Sequence, residues 1–305
     1  MVKHMKMKSK ADVVFDVCNV VLMTLLLLVM LYPLYFAVIV SVSEPKLVAQ
    51  GFVYLYPKGF TLEAYQNVFS NKEIWTGYLN TIEYTVFGTL FSLILTIPAA
   101  YVLSKKKLHG HSFLSWYFLF TMYFSGGLVP TYFVVRGLNL LNTRAALILL
   151  TGVNVYNVVV TRMYFQTSIP SEIYESARID GASDFRMFFQ IALPLAKPII
   201  AVMTLFYAVG QWNDFFLALI YTTDKSLAPL QLVLRRILIL NESMRTAMKE
   251  HSMSTADISA ALRRALMAES MKYALIFISS APLLIAYPFV QKFFIKGIMI
   301  GSLKG

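Results

Sequence analysis

The chain has 305 residues, 58% of them hydrophobic and only 14% charged, against about a quarter charged in soluble domains; an ordinary soluble enzyme or binding domain is excluded and a lipid-embedded protein indicated. Lys and Arg number 27 against 16 Asp and Glu, a formal net charge of +11. In so apolar a chain that excess marks cytoplasmic loops, not a nucleic-acid footprint.

The N-terminus opens on Lys3, Lys6, Lys8 and Lys10, and an uncharged apolar stretch of 24 residues follows at 17–40. A cleavable signal has an apolar core of roughly 7–15 residues, so this stretch reads as a retained first helix. The single cysteine, Cys18, lies within it. One cysteine excludes an intramolecular disulfide framework and multi-cysteine metal sites, and this one reads as a small buried hydrophobe. Further apolar runs continue without period-2 alternation, which argues against barrel strands. They predict an all-α polytopic fold of six transmembrane helices at about 17–40, 75–104, 112–135, 141–165, 196–221 and 271–294. Pro33, Pro98, Pro282 and Pro288 lie within or near the ends of these runs and read as bends, because neighbouring helices can satisfy the freed carbonyls. The whole chain is one transmembrane domain, with a cytoplasmic loop at 166–195 and a long external loop at 222–270.

An even number of spans puts both termini on one side. Counted whole, the basic residues divide almost evenly, 14 on the side of the termini and 13 on the other. Long loops translocate with less regard to charge; without the external loop the comparison is 14 against 5. Both termini are therefore expected in the cytoplasm of a multi-pass protein of the cell membrane, in contact with lipid.

The loop at 166–195 is the most informative segment. It reads as two short helices joined by a turn. Pro170 suits a first helical turn and Glu172 complements the positive end of the helix dipole. Asp180-Gly181 supplies a turn with positive φ, and Ser183 can cap the second helix with Asp184 in its first turn. Ile173, Tyr174 and Ala177 form one apolar stripe. Within this frame Glu175-Ser176-Ala177, Gly181 six places after the glutamate, and Ile191-Ala192-Leu193-Pro194 resemble the EAA loop of the integral permease subunits of ATP-binding-cassette (ABC) importers. The spacing matches throughout; the second position is Ser176 in place of alanine.

The resemblance extends to Tyr32-Pro33-Leu34-Tyr35, to the stretch from Phe124 to Tyr132, to Trp212-Asn213-Asp214-Phe215, and to the chain's last residues from Tyr287 onward. These look like sugar-importer permeases of the maltose type, nearest the branch associated with oligosaccharides from complex polysaccharides. The resemblance implies a type I importer fold, a second permease, two cytoplasmic ATPase subunits and an extracellular sugar-binding protein, such as a lipoprotein. It also implies that the helix around Glu175 docks on an ATPase, in the loop formed by Glu175, Ser176, Ala177, Arg178, Asp180, Gly181, Ile191, Leu193 and Pro194. It further suggests that the C-terminal tail reaches toward the ATPase interface. No phosphate-cradling G-x-x-x-x-G-K-[ST] segment is present, so this chain is expected to bind no cofactor and to draw on ATP hydrolysed by partner subunits. Gly181 is expected to matter most, since a Cβ there strains the turn. Glu175 has two candidate partners, a basic group of the ATPase or Arg178 at i,i+3, and Leu193-Pro194 is expected to end the second helix.

An ionisable residue within a span carries a functional hypothesis by default. Glu83 and Asp214 both fall about 10–12 Å below the outer surface at helical rise. With Trp212 and Asn213 they are candidates to line a sugar path, against the alternative of helix–helix packing. Acidic groups at that depth argue against a polyanionic substrate unless a partner supplies arginines. In the external loop, 229–240 reads as a helix and Ser254 to Asp257 as a capping box opening another. Arg235, Arg236, Arg263 and Arg264 there are candidates to meet a binding protein, or else a solvated face or anionic lipid. His109 and His111 have no carboxylate or cysteine near in sequence, so no metal site is expected, and no convergent nucleophile or carboxylate pair points to an enzyme. The runner-up function is a self-sufficient secondary transporter of a small polar solute, which the six dissimilar spans disfavour.

Overall fold

The computed structural model describes residues 9–249, 266, 270–285 and 287–288. Among these residues the regular structure is helical, with no strand. In chain order the helices are α1 (Lys10–Ser41), α2 (Pro45–Ala49), α3 (Glu63–Ser70), α4 (Lys72–Ser104), α5 (His111–Tyr123), α6 (Leu128–Gly137), α7 (Arg144–Leu149), α8 (Val155–Thr167) and α9 (Ser171–Ile179). They continue as α10 (Asp184–Leu195), α11 (Lys197–Asn213), α12 (Phe216–Tyr221), α13 (Leu230–Lys249) and α14 (Ser270–Ile285). Helix α1 starts where the Ser9 amide donates to Asp12 Oδ2 at 3.0 Å, and α4 where the Asn71 side chain accepts from Glu73. Pro33 and Pro98 sit inside α1 and α4 without ending them.

Two described helices, α1 and α4, are each long and apolar enough to cross a membrane, and up to four crossings result if each of two bent pairs is one span. The run read as span three is not continuous: α5 and α6 meet at 111°. Gly126 and Gly127 lie at the break, Gly127 at φ +87°, and Pro130 falls in the first turn of α6, where its missing amide hydrogen costs nothing. The fourth run divides between α7 and α8, and the fifth between α11 and α12. The sixth is represented by α14, and the C-terminal tail from residue 289 onward lies outside the described residues. The external helix read at 229–240 is α13, which runs on to Lys249; the capping box read at Ser254 lies outside the described residues.

The chain divides into two compact units, Met1–Ser70 with Ile237–Ile278 and Asn71–Arg236 with Ser279–Gly305. In the first, Ile39, Val40 and Val53 form a small core packed by Phe36, Leu47, Val48 and Tyr273. The rest of α1 is exposed along nearly its whole length. A helix whose solvent is lipid gains nothing by burying its apolar faces against protein, and Cys18, expected to be buried, is accordingly exposed.

In the second unit α4 is central, with α8 and α11 packed on it. The core there includes Ile97, Ala100, Val158, Ala196, Ile199 and Met203. Gly77, Gly88, Ser92, Thr96 and Ala100 are among the buried residues of α4, and small residues let helix backbones approach in the absence of a hydrophobic driving force. Polar groups close the interface: the hydroxyls of Thr96 and Tyr207 lie 2.6 Å apart, and the Asn154 amide donates to the same Tyr207 oxygen at 3.4 Å.

Candidate functional site

The loop read as a helix pair is one. Helix α9 has Pro170 at its N-cap and Glu172 in its first turn. It ends in a Schellman motif: the Gly181 amide donates to Arg178 O at 3.1 Å and the Ala182 amide to Ala177 O at 2.9 Å, satisfying carbonyls that the helix end leaves open. Gly181 takes φ +77° to close it. Ser183 then caps α10, accepting from the Arg186 amide at 3.3 Å. Ala177 is buried, and Ile173, Tyr174 and Phe188 pack onto the core formed by α4, α8 and α11. The Tyr101 ring lies 6.2 Å from Tyr174 and 5.0 Å from Phe188. Glu175 and Ser176 stand on the exposed side.

Three details differ from the sequence reading. Arg178 pairs with Asp184 across the turn at 3.7 Å and not with Glu175, which makes no ion pair among the described residues; both members of the pair are exposed, so it adds little stability. Residues Met187–Ala192, including Ile191, form a π-helical stretch. Helix α10 passes through Leu193-Pro194 to Leu195, and α11 departs at 76°. The prolines at 194 and 198 flank that bend and remove two amide donors from it. Sequence reasoning also passed over Ile179 and Phe185, which are 87% and 79% exposed on either side of Gly181. Large apolar residues at the tip of a short polar loop were the available signal.

In the N-terminal half of α4 a polar cluster surrounds Glu83. Its carboxylate pairs with Arg144, the first residue of α7. Arg144 Nη2 also donates to Asn80 Oδ1 at 3.3 Å, while Asn80 Nδ2 donates to the carbonyls of Ser226 at 2.7 Å and Ala228 at 3.1 Å. Tyr84 donates to Leu227 O at 2.9 Å, and the Leu230 amide donates to Thr81 Oγ1 at 2.8 Å. The cluster thus stitches α4 to the segment leading into α13. The Glu83 charge is compensated within this chain, which removes the basis for expecting an anionic substrate to be repelled there. Asn80 is buried whereas the Glu83–Arg144 pair is partly exposed. Asn80→Ala, which strands buried carbonyls, is therefore expected to cost about 1–3 kcal/mol, and Glu83→Gln about 1 kcal/mol or less. Thermal midpoints of the purified variants check the order.

The other candidates find separate partners. Trp212 is 5% exposed, donates through Nε1 to Ser279 O at 2.9 Å, and makes a T-shaped contact with the Tyr78 ring at 5.7 Å. Asn213 is exposed and donates to Val209 O at 2.9 Å. Asp214 does not lie inside a helix. It stands between α11 and α12, its Oδ1 accepting from the amides of Phe216 at 3.0 Å and Leu217 at 3.3 Å, so a depth reckoned at helical rise does not apply to it. Arg235 lies over the Phe215 ring at 5.3 Å and Arg236 is half-buried; Arg263 and Arg264 lie outside the described residues.

Residues 74–300 match the family described as binding-protein-dependent transport system inner membrane component. The chain belongs to this family. It is 41% identical over 302 residues to Protein LplC of Bacillus subtilis (strain 168), covering 99% of both chains. It is 40% identical over 260 residues to the polygalacturonan/rhamnogalacturonan transport system permease protein YtcP of the same organism, covering 85% of this chain and 87% of that protein. Among solved structures it matches a chain of a bacterial ABC transporter involved in the import of the acidic polysaccharide alginate, with a TM-score of 0.81 and 34% identity, covering 95% of this chain and 99% of that one. This chain is a permease subunit of an ABC importer in the plasma membrane, with the fold of importer permeases, and not an enzyme.

Proposed function

We propose that this permease forms half of the translocation path for an oligosaccharide. A second permease supplies the other half, two cytoplasmic ATPase subunits drive the cycle, and an extracellular sugar-binding protein delivers the substrate. The observation that carries the reading is the capped helix pair α9–α10, which presents Ile179 and Phe185 outward beside Glu175. Two exposed apolar knobs on a locally braced turn suit insertion into a cleft of another protein. With that loop on the cytoplasmic side, both termini are cytoplasmic as well. On the outer side, exposed Asn213 and the partly exposed Glu83–Arg144 pair are the proposed path contacts, with Trp212 and Asp214 supporting them from within the protein. Arg235 and Arg236 are proposed to face the binding protein.

The relatives named for polygalacturonan/rhamnogalacturonan and for alginate support a carbohydrate, with fragments of acidic polysaccharides the first to test. Purifying the tagged chain from its own membranes in mild detergent, with mass spectrometry of what accompanies it, is expected to return a second permease and an ATPase carrying a phosphate-binding loop. Proteoliposomes of that assembly are expected to take up oligogalacturonate only with ATP and the binding protein present. Uptake by the purified chain alone, without ATP, overturns the reading in favour of a secondary transporter.

A further inference from the structure

Lys105 belongs to a run of three lysines just past the end of α4, a position where a solvated basic residue needs no explanation. Its side chain is nevertheless half-buried. The ammonium nitrogen lies 3.1 Å from the centroid of the Tyr174 ring on α9 and 4.6 Å from that of the Tyr101 ring on α4. Both distances are well inside the roughly 6 Å within which a cation is attracted to a ring face. The hydroxyls of Tyr101 and Tyr174 are buried and make no hydrogen bond among the described residues, so the ring faces and the cation, not the phenol groups, make this contact. Phe165 on α8 makes a T-shaped contact with Tyr101 at 5.5 Å, and Phe188 on α10 a tilted one at 5.0 Å. One lysine thus joins the cytoplasmic end of the central helix α4 to the inner face of α9.

We propose that Lys105 is a positioning residue of the transport cycle: its ammonium, held between the rings of Tyr101 and Tyr174, fastens α9 to α4 so that displacement of the helix pair is delivered to the helix at the centre of its unit. The transmission role rests on the reading that α9 docks on an ATPase; the fastening itself does not. Burial pushes the Lys105 ammonium down to about 8, with Arg178 acting in the same direction and Asp184 against it, so at pH 7 the group still carries its proton. The contact bridges two helices about seventy positions apart along the chain. Beyond it, α9 reaches this unit chiefly through the packing of Ile173, Tyr174 and Ala177. That packing is apolar and non-directional, so it resists separation of the helices better than sliding between them. A cation seated over ring faces fixes the register.

The test is a distance measurement in the complete importer. With Cys18 replaced by serine, spin labels at Glu172→Cys on α9 and Val102→Cys on α4, both exposed positions, report their separation without nucleotide and with ATP trapped by vanadate. The parent is expected to give one narrow distance that survives the nucleotide change, because the two labels move together. Lys105→Met removes the charge at similar volume and is expected to lose the single narrow distance both without nucleotide and in the trapped state. Lys105→Arg keeps the cation and is expected to restore it. Tyr174→Leu is expected to reproduce Lys105→Met, and the double variant to add nothing further, as residues sharing one interaction do. A narrow distance retained in Lys105→Met in both states overturns the proposal, as does failure of arginine to restore it. If no ATPase accompanies the parent chain, the proposed function fails instead, and the nucleotide-free distances of Lys105→Met and Lys105→Arg still decide the fastening.

Discussion

Valine in place of Gly181 is expected to reduce ATP-driven uptake by roughly 5–30-fold, while asparagine at the same position retains most of it. The penalty is purely conformational. A Cβ built on Gly181 meets no atom within 4 Å, but the residue sits at φ +77°, where a side chain costs about 1–2 kcal/mol. A β-branched residue tolerates that region least, and asparagine is the usual second choice at the residue after a helix C-cap. With valine the Gly181–Arg178 and Ala182–Ala177 hydrogen bonds compete against backbone strain, and the turn between Ile179 and Phe185 opens. The sequence reading already named strain at this glycine; the structure adds that no neighbour is struck, which is why the two substitutions should separate. Initial uptake rates in proteoliposomes, with ATPase co-purification measured alongside, check the result. Equal behaviour of the two variants would mean that side-chain bulk and not backbone conformation governs the site.

Leucine in place of Gly88 is expected to prevent recovery of folded protein. A Cβ at Gly88 would stand 2.2 Å from Gln211 Nε2 and 2.6 Å from its Cδ. Gln211 is buried and its amide donates to Thr151 Oγ1, so turning the end of that side chain away breaks its hydrogen bond. Alanine forces a local readjustment worth about 1–3 kcal/mol, typical of overpacking; leucine cannot be fitted unless α4 and α11 move apart along the interface that organises this unit. Combining Gly88→Ala with Gln211→Ala is expected to recover part of the loss, since the second change removes the atoms that clash. Yield of monodisperse protein in detergent and thermal midpoints report both effects. Gly88→Leu protein that purifies and melts like the parent would show that the two helices are not held this closely.

The features that came through in the sequence are those whose physics is local. A C-cap glycine, a serine at an N-cap and an acidic first turn each depend on residues within about four positions of one another, so the α9–α10 pair was readable in its turn and caps. Runs of apolar residues announced lipid for the same reason, because hydropathy is a property of each side chain alone. The breaks inside those runs were harder to see. At Gly126-Gly127 and Asp214-Phe215 the apolar composition continues while the backbone turns, driven by a positive φ in one case and by a carboxylate accepting two amides in the other.

Pairings between distant positions were out of reach. Glu83 was singled out as an ionisable residue in an apolar helix and a candidate for the sugar path, while Arg144, which pairs with it, lies 61 positions away and read only as one of many loop charges. Arg178 had an acidic neighbour on its own helix at the right spacing and paired with Asp184 across the turn instead. Lys105 looked like any member of a basic run until the fold laid Tyr174 over it. The amino-acid sequence by itself determined that this chain lives in lipid, is helical, and carries a braced helix pair, because each of these follows from side-chain chemistry and short-range backbone preference. Only the tertiary structure decided which charges are compensated, where the apolar runs bend, and which glycine is locked against a buried side chain. Those outcomes depend on which surfaces meet, and that is settled by close packing between segments far apart in the chain.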